Sequence, residues 1–474
     1  MTRSRTFVRR LPTTYFGLSR SGERRTTSWR LLQNRSFRYY FVGSVTSDFG
    51  TWLQNTAQVL LAYRLSHSVL AVGLVTCAQF SSPLVLGPWA GVMTDKFGGR
   101  RILLATQVTA AAFAGLMAAL AFAGDMHTRW LAGGALASGL AFTFALPARN
   151  VTVRRLVRPA DVRPAFAMDS VSYNLGRAVA PPVSVLLVTT LGFGWAFAAN
   201  SVSFLVFAVC LVLARYGQPS ERRERSQIRD GFKVASQDWR IGVLLLMVAA
   251  VTVADDPVLV LGPALAEHLH VNPSWSGWFI AALGAGTVLG SLMPATHTAS
   301  LRLAASALAA LAVCMMAFVL SPWVWGCFLA AFGAGMMCLI ANSATRTELA
   351  KRAGRAHEAS VMAVWAIAWA GSKPLASLSD GLLGREIGIK WTGVLLATPA
   401  LIPVTILIAL SVLVLAMRKW KPRKGRQRAQ FLDTLATFPW IRRAEELLIT
   451  APRVEIIEET PSVTDPAQMT AKDR

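Results

Sequence analysis

Apolar residues run along this chain in long blocks, each close to the roughly 20 residues that cross about 30 Å of hydrocarbon at 1.5 Å per residue. Twelve such blocks follow one another: 38–64, 68–93, 101–124, 130–153, 165–189, 192–215, 240–267, 274–296, 302–320, 322–346, 358–383 and 391–417. Short polar stretches separate them. The pattern predicts an all-α membrane protein with twelve transmembrane helices in two six-helix bundles. The longest internal polar break divides the blocks six and six. The expected organisation is a basic N-terminal arm (1–36), an N-terminal bundle (37–215), a linker (216–239), a C-terminal bundle (240–417) and a C-terminal arm (418–474). Within the linker Ile228, Phe232, Ala235 and Trp239 recur at helical spacing, which predicts a short amphipathic helix on the inner membrane surface. A faint echo links the bundles: the first block reads VTSD at 45–48 and the seventh VTVADD at 251–256. Two bundles of six helices suit a transporter built from parallel repeats.

Composition sharpens this picture. Of 474 residues, 54% are hydrophobic and 15% charged, where soluble domains carry about 25% charged residues. The net charge of +23 does not form a nucleic-acid-binding face, because the cations sit in tails and in alternate short loops. Rich in Lys or Arg are the N-terminal arm, Lys96/Arg100/Arg101, Arg154 to Arg163, Arg215 to Arg240, Arg346 to Arg355 and Arg418 to Arg428. The intervening connections, 124–129, 191–194, 270–275 and 321–323, are nearly free of them. Positive-inside asymmetry therefore places both termini of a multi-pass membrane protein in the cytoplasm. The THTAS connection fits this least, being marked only by Arg302. The first 29 residues lack the apolar region of a secretory signal. Their Arg/Ser-rich composition also fits a transit peptide; a disordered cytoplasmic arm is the favoured reading. The polybasic stretch after block twelve is expected to attract anionic lipid headgroups. Phe431, Leu435 and Phe438 suggest an interfacial helix behind it, and the end from Ala451 reads as disordered.

Little suggests enzymatic chemistry. The five cysteines lie inside apolar blocks without ligand or disulfide spacing. His268-x-His270 is the nearest thing to a zinc pattern and is weak. Gly284, Gly286 and Gly290 read as helix-packing positions. No catalytic triad, cofactor or metal site is expected.

Ionisable residues inside the blocks are the informative ones, because one at a helix centre costs roughly 2.5–3.5 kcal/mol on insertion scales. Asp48 lies deep in the first block. Its bland reading is a carboxylate bonded to nearby Ser or Thr; its functional reading is a proton site. Asp255 and Asp256 precede Pro257, which should open the helix near Val253; the alternative is a solvated pair at the outer interface. Asp169, Tyr173 and Arg177 form one stripe at i, i+4, i+8, with Asp169 read mainly as favouring a helix N-terminus. Lys373 lies deep in the eleventh block, two turns before Asp380, with snorkelling as its alternative. Asp48, Asp255 and Asp256 are the proton-coupling candidates. Arg177, Lys373 and Tyr173 are the substrate-contact candidates, and two deep cations favour an anionic or catechol-like solute.

One stretch, LGPWAGVMTDKFGGRR at 86–101, ends an apolar block in a tight polar turn. Gly91 and Asp95 share a helix face. Gly98 and Gly99 permit a reversal, and Lys96, Arg100 and Arg101 hold it at the inner leaflet. The match at Gly91, Asp95, Lys96, Gly98 and Arg100 resembles the loop signature of the major facilitator superfamily. That resemblance implies a cytoplasmic gate, with Asp95 near Glu358 to Ser360. The stretches at 32–54, 172–181 and 195–204, and G-x-x-P-L-x-S-L-x-x-G at 371–381, are similar to the enterobactin-exporter-type (transmembrane secretion effector) branch. Gly99 stands where the superfamily usually has arginine. Ala180 and Ala376 stand where the branch favours glycine, and Asp169 where it favours asparagine. The resemblance implies a monomeric, proton-coupled exporter of a siderophore or drug-like small molecule. An importer or lipid flippase of the same fold, and a non-transporting scaffold or sensor, remain as alternatives. If both termini are cytoplasmic, green fluorescent protein fused to the C-terminus should fluoresce and alkaline phosphatase fused there should be inactive; the opposite pair of results inverts the topology.

Overall fold

The structure, a computed structural model, describes residues 28–216, 228–292 and 300–419. The expected N-terminal arm up to residue 27, most of the THTAS connection, the linker up to 227, and the C-terminal arm from 420 with its lipid-attracting run and interfacial helix lie outside the described residues.

After a 3-10 turn, Ser28–Gln33, the first half comprises α1 (Arg35–Ser66), α2 (Val69–Phe97), α3 (Gly99–Phe122), α4 (Thr128–Leu156), α5 (Val162–Thr190) and α6 (Phe193–Leu213). The linker helix α7 (Ile228–Gln237) follows. The second half comprises α8 (Trp239–Asp255), α9 (Pro257–Val260), α10 (Gly262–His268), α11 (Trp275–Leu292), α12 (Leu301–Leu320), α13 (Val324–Glu386), α14 (Ile389–Ala397) and α15 (Ile402–Lys419). Among the described residues there is no strand. Nine segments of the described residues are long and apolar enough to cross a membrane: α2, α3, α4, α6, Trp239–Val260, α12, Val324–Gly354, Ser360–Glu386 and Ile389–Ala409. α13 thus contains two of them, meeting at a kink at Gly354. The other three predicted places are taken by α1, α5 and α11, of 32, 29 and 18 residues. α1 carries Asp48, and α5 carries Asp169 and Arg177.

Local sequence explains several boundaries. Asn34 caps α1 by accepting from the Ser36 and Phe37 amides, and its own amide reaches the Leu156 carbonyl at the end of α4. Pro257 has no N–H to offer the Val253 carbonyl, and the predicted seventh span breaks at Asp256 and again at Leu261, before Pro263. Gly98 ends α2 with φ +88°, a conformation that L side chains rarely adopt.

Lipid tails are as apolar as leucine, so close packing rather than burial from water joins such helices. Within the first half α1 packs on α5 and α6, and α2 and α3 pack on α4; within the second, both arms of α13 bind the neighbouring helices together. Between the halves, α2 meets the second arm of α13 and α5 meets α11. The approach is closest near the start of α2. A Cβ on Gly73 would lie 2.5 Å from the Ser377 carbonyl oxygen and 2.9 Å from Gly381 Cα. At the same end Tyr63 of α1 donates a hydrogen bond to Glu267 of α10. Toward the cation-rich end of α2 the contact is lost. Gly87 and Gly91 face open space, and Trp89, Val92, Met93 and Phe97 are exposed. The halves are thus joined at the cation-poor end and parted along α2 at the other.

α7 forms where the linker pattern expected a helix. Gly231 seats it against Ser360 of α13, and Val234 and Ala235 are partly buried, whereas Phe232 and Trp239 stay exposed. Its apolar side is therefore shared between the protein and its surroundings. Leu70→Cys with Gly381→Cys, in a background lacking the native cysteines, should form an oxidant-induced disulfide. With a protease site inserted in 217–227, the two halves should then stay together on a non-reducing gel; separation would mean the cation-poor end is not closed.

Candidate functional site

Most of the deep ionisable residues are ion-paired, and they fall into two groups. Arg149, near the end of α4, holds Asp48 of α1 with two bonds, Nη1 to Oδ1 at 2.7 Å and Nη2 to Oδ2 at 3.0 Å. The same Nη2 lies 2.9 Å from Asp169 Oδ1 on α5. Ser172 donates to Asp48 at 2.6 Å and Tyr40 donates to Asp169 at 2.9 Å, while Ser44 accepts from Arg149. One guanidinium therefore serves two carboxylates on two other helices, in the planar fork geometry that favours arginine over lysine.

A second group sits at the seam between the halves. Arg177 of α5 donates to Asp255 at the end of α8 across 2.9 Å, and its guanidinium lies 5.4 Å from the Trp52 ring centre. Tyr173 packs edge-on against Trp52, with centroids 5.7 Å apart. Lys373 of α13 is ion-paired with Asp256 and lies 5.8 Å from the Phe80 ring centre. Ser377 donates to the other Asp256 oxygen. Asp255 and Asp256 are buried, which removes the reading of a solvated interfacial pair. Lys373 does not snorkel, and Asp48 does more than bond to hydroxyls.

Beside the first group lies a cavity of about 290 Å³. Its wall includes Asp48, Arg149 and Asp169, the amides Gln54, Asn55, Gln79, Asn150, Asn174 and Asn200, and the aromatic rings of Trp52, Phe80, Phe142, Tyr173 and Trp369. Trp369, from α13, is the second half's share of that wall. Of the expected substrate contacts, Tyr173 lines the cavity, whereas Arg177 and Lys373 do not. Those two cations are each held by one of the expected proton-coupling acids, so two roles expected of separate residues fall on the same ion pairs.

This arrangement is that of a membrane transporter, and the chain compares accordingly. The sequence pattern of the transmembrane secretion effectors, a group within the major facilitator superfamily, matches residues 26–440. The chain belongs to that family. The family and the fold are those of transporters, which are not enzymes. Among curated proteins it is similar to the enterobactin exporter EntS of Shigella flexneri and of Escherichia coli O1:K1, each 25% identical over 262 residues. That match takes in 54% of this chain and 62% of each exporter, less than two thirds of their length. Among solved structures it resembles a bacterial homologue of the human lysosomal transporter Spinster, inward-facing and unoccupied, with a TM-score of 0.59, 14% identity, and coverage of 82% of this chain and 99% of that one. The nucleoside transporter NupG gives a TM-score of 0.64 at 11% identity, over 81% and 99% of the two chains. These likenesses show the fold.

Like other secretion effectors, this one carries the superfamily loop between α2 and α3, but the loop is not engaged with the second half. Asp95 is exposed and makes no ion pair or hydrogen bond among the described residues. Glu358, its expected neighbour, is exposed too, and Ser360 is met instead by Gly231 of α7. The reason is geometric: the halves are closed at the opposite end, so this end stands apart. Arg100 is anchored within its own half, donating to the Val212 carbonyl at 3.1 Å and lying 4.7 Å from the Tyr216 ring centre. Lys96 lies 5.3 Å from the Phe97 ring centre. Gly99 packs against the Ala148 carbonyl, where a Cβ would come within 2.9 Å; an arginine does not fit that contact.

Sequence reasoning missed Arg149, the hub of the first group. It stands in LPARN at 146–150, inside the fourth predicted block and shortly before the arginine-rich turn, and was not singled out among the deep ionisable residues. Glu267 was missed as well. The uncharged amides inside α1, α2 and α6 were a usable signal, since apolar spans have no other need of them. Arg149→Ala leaves the buried Asp48 and half-buried Asp169 carboxylates facing each other, and breaking a buried pair costs about 3–5 kcal/mol. The variant should melt well below the wild type in detergent, and adding Asp48→Asn should recover part of the loss; equal melting of wild type and Arg149→Ala would contradict the pairing.

Proposed function

We propose that this secretion effector is a proton-coupled exporter of small molecules in the bacterial inner membrane, working by alternating access with both termini in the cytoplasm. The observation that carries this reading is the cavity with Asp48, Arg149 and Asp169 in its wall. Two carboxylates share one guanidinium there, leaving one negative charge in excess, so a proton can bind and leave while the arginine keeps one partner. The two halves, 37–215 and 240–417, rock about the cavity. The parted, cation-rich end is then the cytoplasmic side, and the Asp95 loop closes against α13 in the opposite state. Asp48 is the first proton carrier, and the Arg177–Asp255 and Lys373–Asp256 pairs open and reform as the halves move. An inward-directed proton gradient supplies the work, about 2.3 kcal/mol per charge for each 100 mV.

The substrate class follows from the cavity and the relatives together. Amides with aromatic rings suit a flat solute rich in hydrogen-bonding groups, and Tyr173, Trp52 and Trp369 are its proposed contacts. The likeness to enterobactin exporters supports a siderophore. A drug-like aromatic compound fits the same wall, and the lean toward an anion weakens because Arg177 and Lys373 are already neutralised.

Everted membrane vesicles with an acid interior should accumulate enterobactin or ethidium, should lose the accumulation with an uncoupler, and should lose it in Asp48→Asn. Accumulation only in right-side-out vesicles would make the protein an importer. Movement of neither solute, in vesicles shown to hold the protein, overturns the export reading.

A further inference from the structure

Asp380 is buried completely, and neither of its carboxyl oxygens receives a hydrogen bond from a donor. It lies on the second arm of α13, one turn beyond Ser377, with its carboxyl in hydrogen-bonding range of Asp256. The charged groups that bear on it are Asp256 and Lys373. Asp256 is itself occupied, by the Lys373 ammonium on one oxygen and the Ser377 hydroxyl on the other. From α2 the nearby titratable group is the Cys77 thiol. From α5 and α8 come Arg177 and Asp255, committed to each other.

The charges do not balance as they stand. Lys373 and Arg177 supply two positive charges; Asp255, Asp256 and Asp380 supply three negative ones. Ionised carboxylates only accept hydrogen bonds, so two of them cannot bond to each other until one carries a proton and becomes a donor. We propose that Asp380 and Asp256 hold one shared proton and form a second proton-binding site, in the C-terminal half and separate from Asp48 and Asp169. This deepens the proton-coupled reading above and rests on it. Only an O–H bond forms or breaks: the proton comes from water at one face and returns to water at the other.

The site's position gives it a different exit from the first. Ser377 and Gly381, on either side of Asp380 along the helix, are the residues that touch Gly73 of α2 at the closed, cation-poor end. Gly384, one turn further, lines a cavity of about 520 Å³ at that end. The seal over Asp380 is therefore the contact between the halves itself. When α2 and α13 part there, Asp380 meets water from the side opposite to the one that reaches Asp48. The two sites load from opposite faces of the membrane.

Infrared spectra of the full-length protein in lipid nanodiscs at neutral pH test this directly. The wild type should show the C=O absorption of a protonated carboxylic acid that moves on exchange into D₂O. Asp380→Asn should remove one such component, Asp380→Glu should retain it, and Asp48→Asn should leave that component in place. An unchanged band in Asp380→Asn, or no protonated-acid band in the wild type, overturns the proposal. The everted-vesicle assay separates the two readings. If the band disappears as expected while no solute moves, the transport assignment fails and the proton site stands. If wild-type export is proton-driven while the band is insensitive to residue 380, the second site fails and the transport assignment stands.

Discussion

An ionised side chain inside a bilayer must be neutralised where it stands, and this fold is arranged around that requirement. Arg149 answers Asp48 and Asp169, Arg177 answers Asp255, and Lys373 answers Asp256. Removing one partner of such a pair leaves a buried charge exposed to a medium that cannot solvate it, whereas the intact pair contributes little net stability. The pairs are therefore better at specifying an arrangement than at strengthening it. One of them, Arg177 with Asp255, joins the two halves. A motion that separates the halves must either give each charge another partner or remove the charge by a proton. In the proposed cycle, ion pairing at the seam couples conformation to protonation.

The cavity inherits its character from this arrangement. Its cation, Arg149, is spent on aspartates, so beside that cluster the wall offers amides, hydroxyls and rings. The cavity belongs mostly to the first half, with Trp369 as a contribution from the second. Closure at one end comes from backbone meeting backbone at Gly73, Ser377 and Gly381. Such a contact is all-or-none: a glycine seam cannot loosen gradually in the way that a cluster of long side chains can. The free loop around Asp95 at the opposite end is the complement of that closed seam.

Much of this was legible in the sequence. Helices occupy every predicted block, with α13 running through two of them and the connection between, the break before Pro257 is where a missing N–H puts it, and the reversal at Gly98 uses the conformation that glycine allows. That the deep acids needed partners could be read from the cost of burying them. Which partners they took could not. Asp48 and Arg149 are 101 residues apart, and Arg177 and Asp255 are 78 apart. Arg149 went unremarked inside the fourth block, with no acid close to it in sequence to mark it as a partner. Asp169 looked like a helix-end acid because that role is satisfied locally, and nothing near it in sequence pointed to Tyr40 or Arg149. Asp95 was placed against α13 from a pattern that describes one conformation, while this structure holds the other.

The division has a simple physical origin. The sequence alone determined that the chain is a series of long apolar helices suited to a membrane, and where proline and glycine break or end some of them. Hydrocarbon imposes length and apolarity on each segment separately, and proline and glycine act within a turn of themselves. Tertiary structure alone decided which acid met which base, which polar residues face a common cavity and which end of the bundle is shut. Those outcomes depend on distances between helices far apart in the chain, and no local rule of composition contains them.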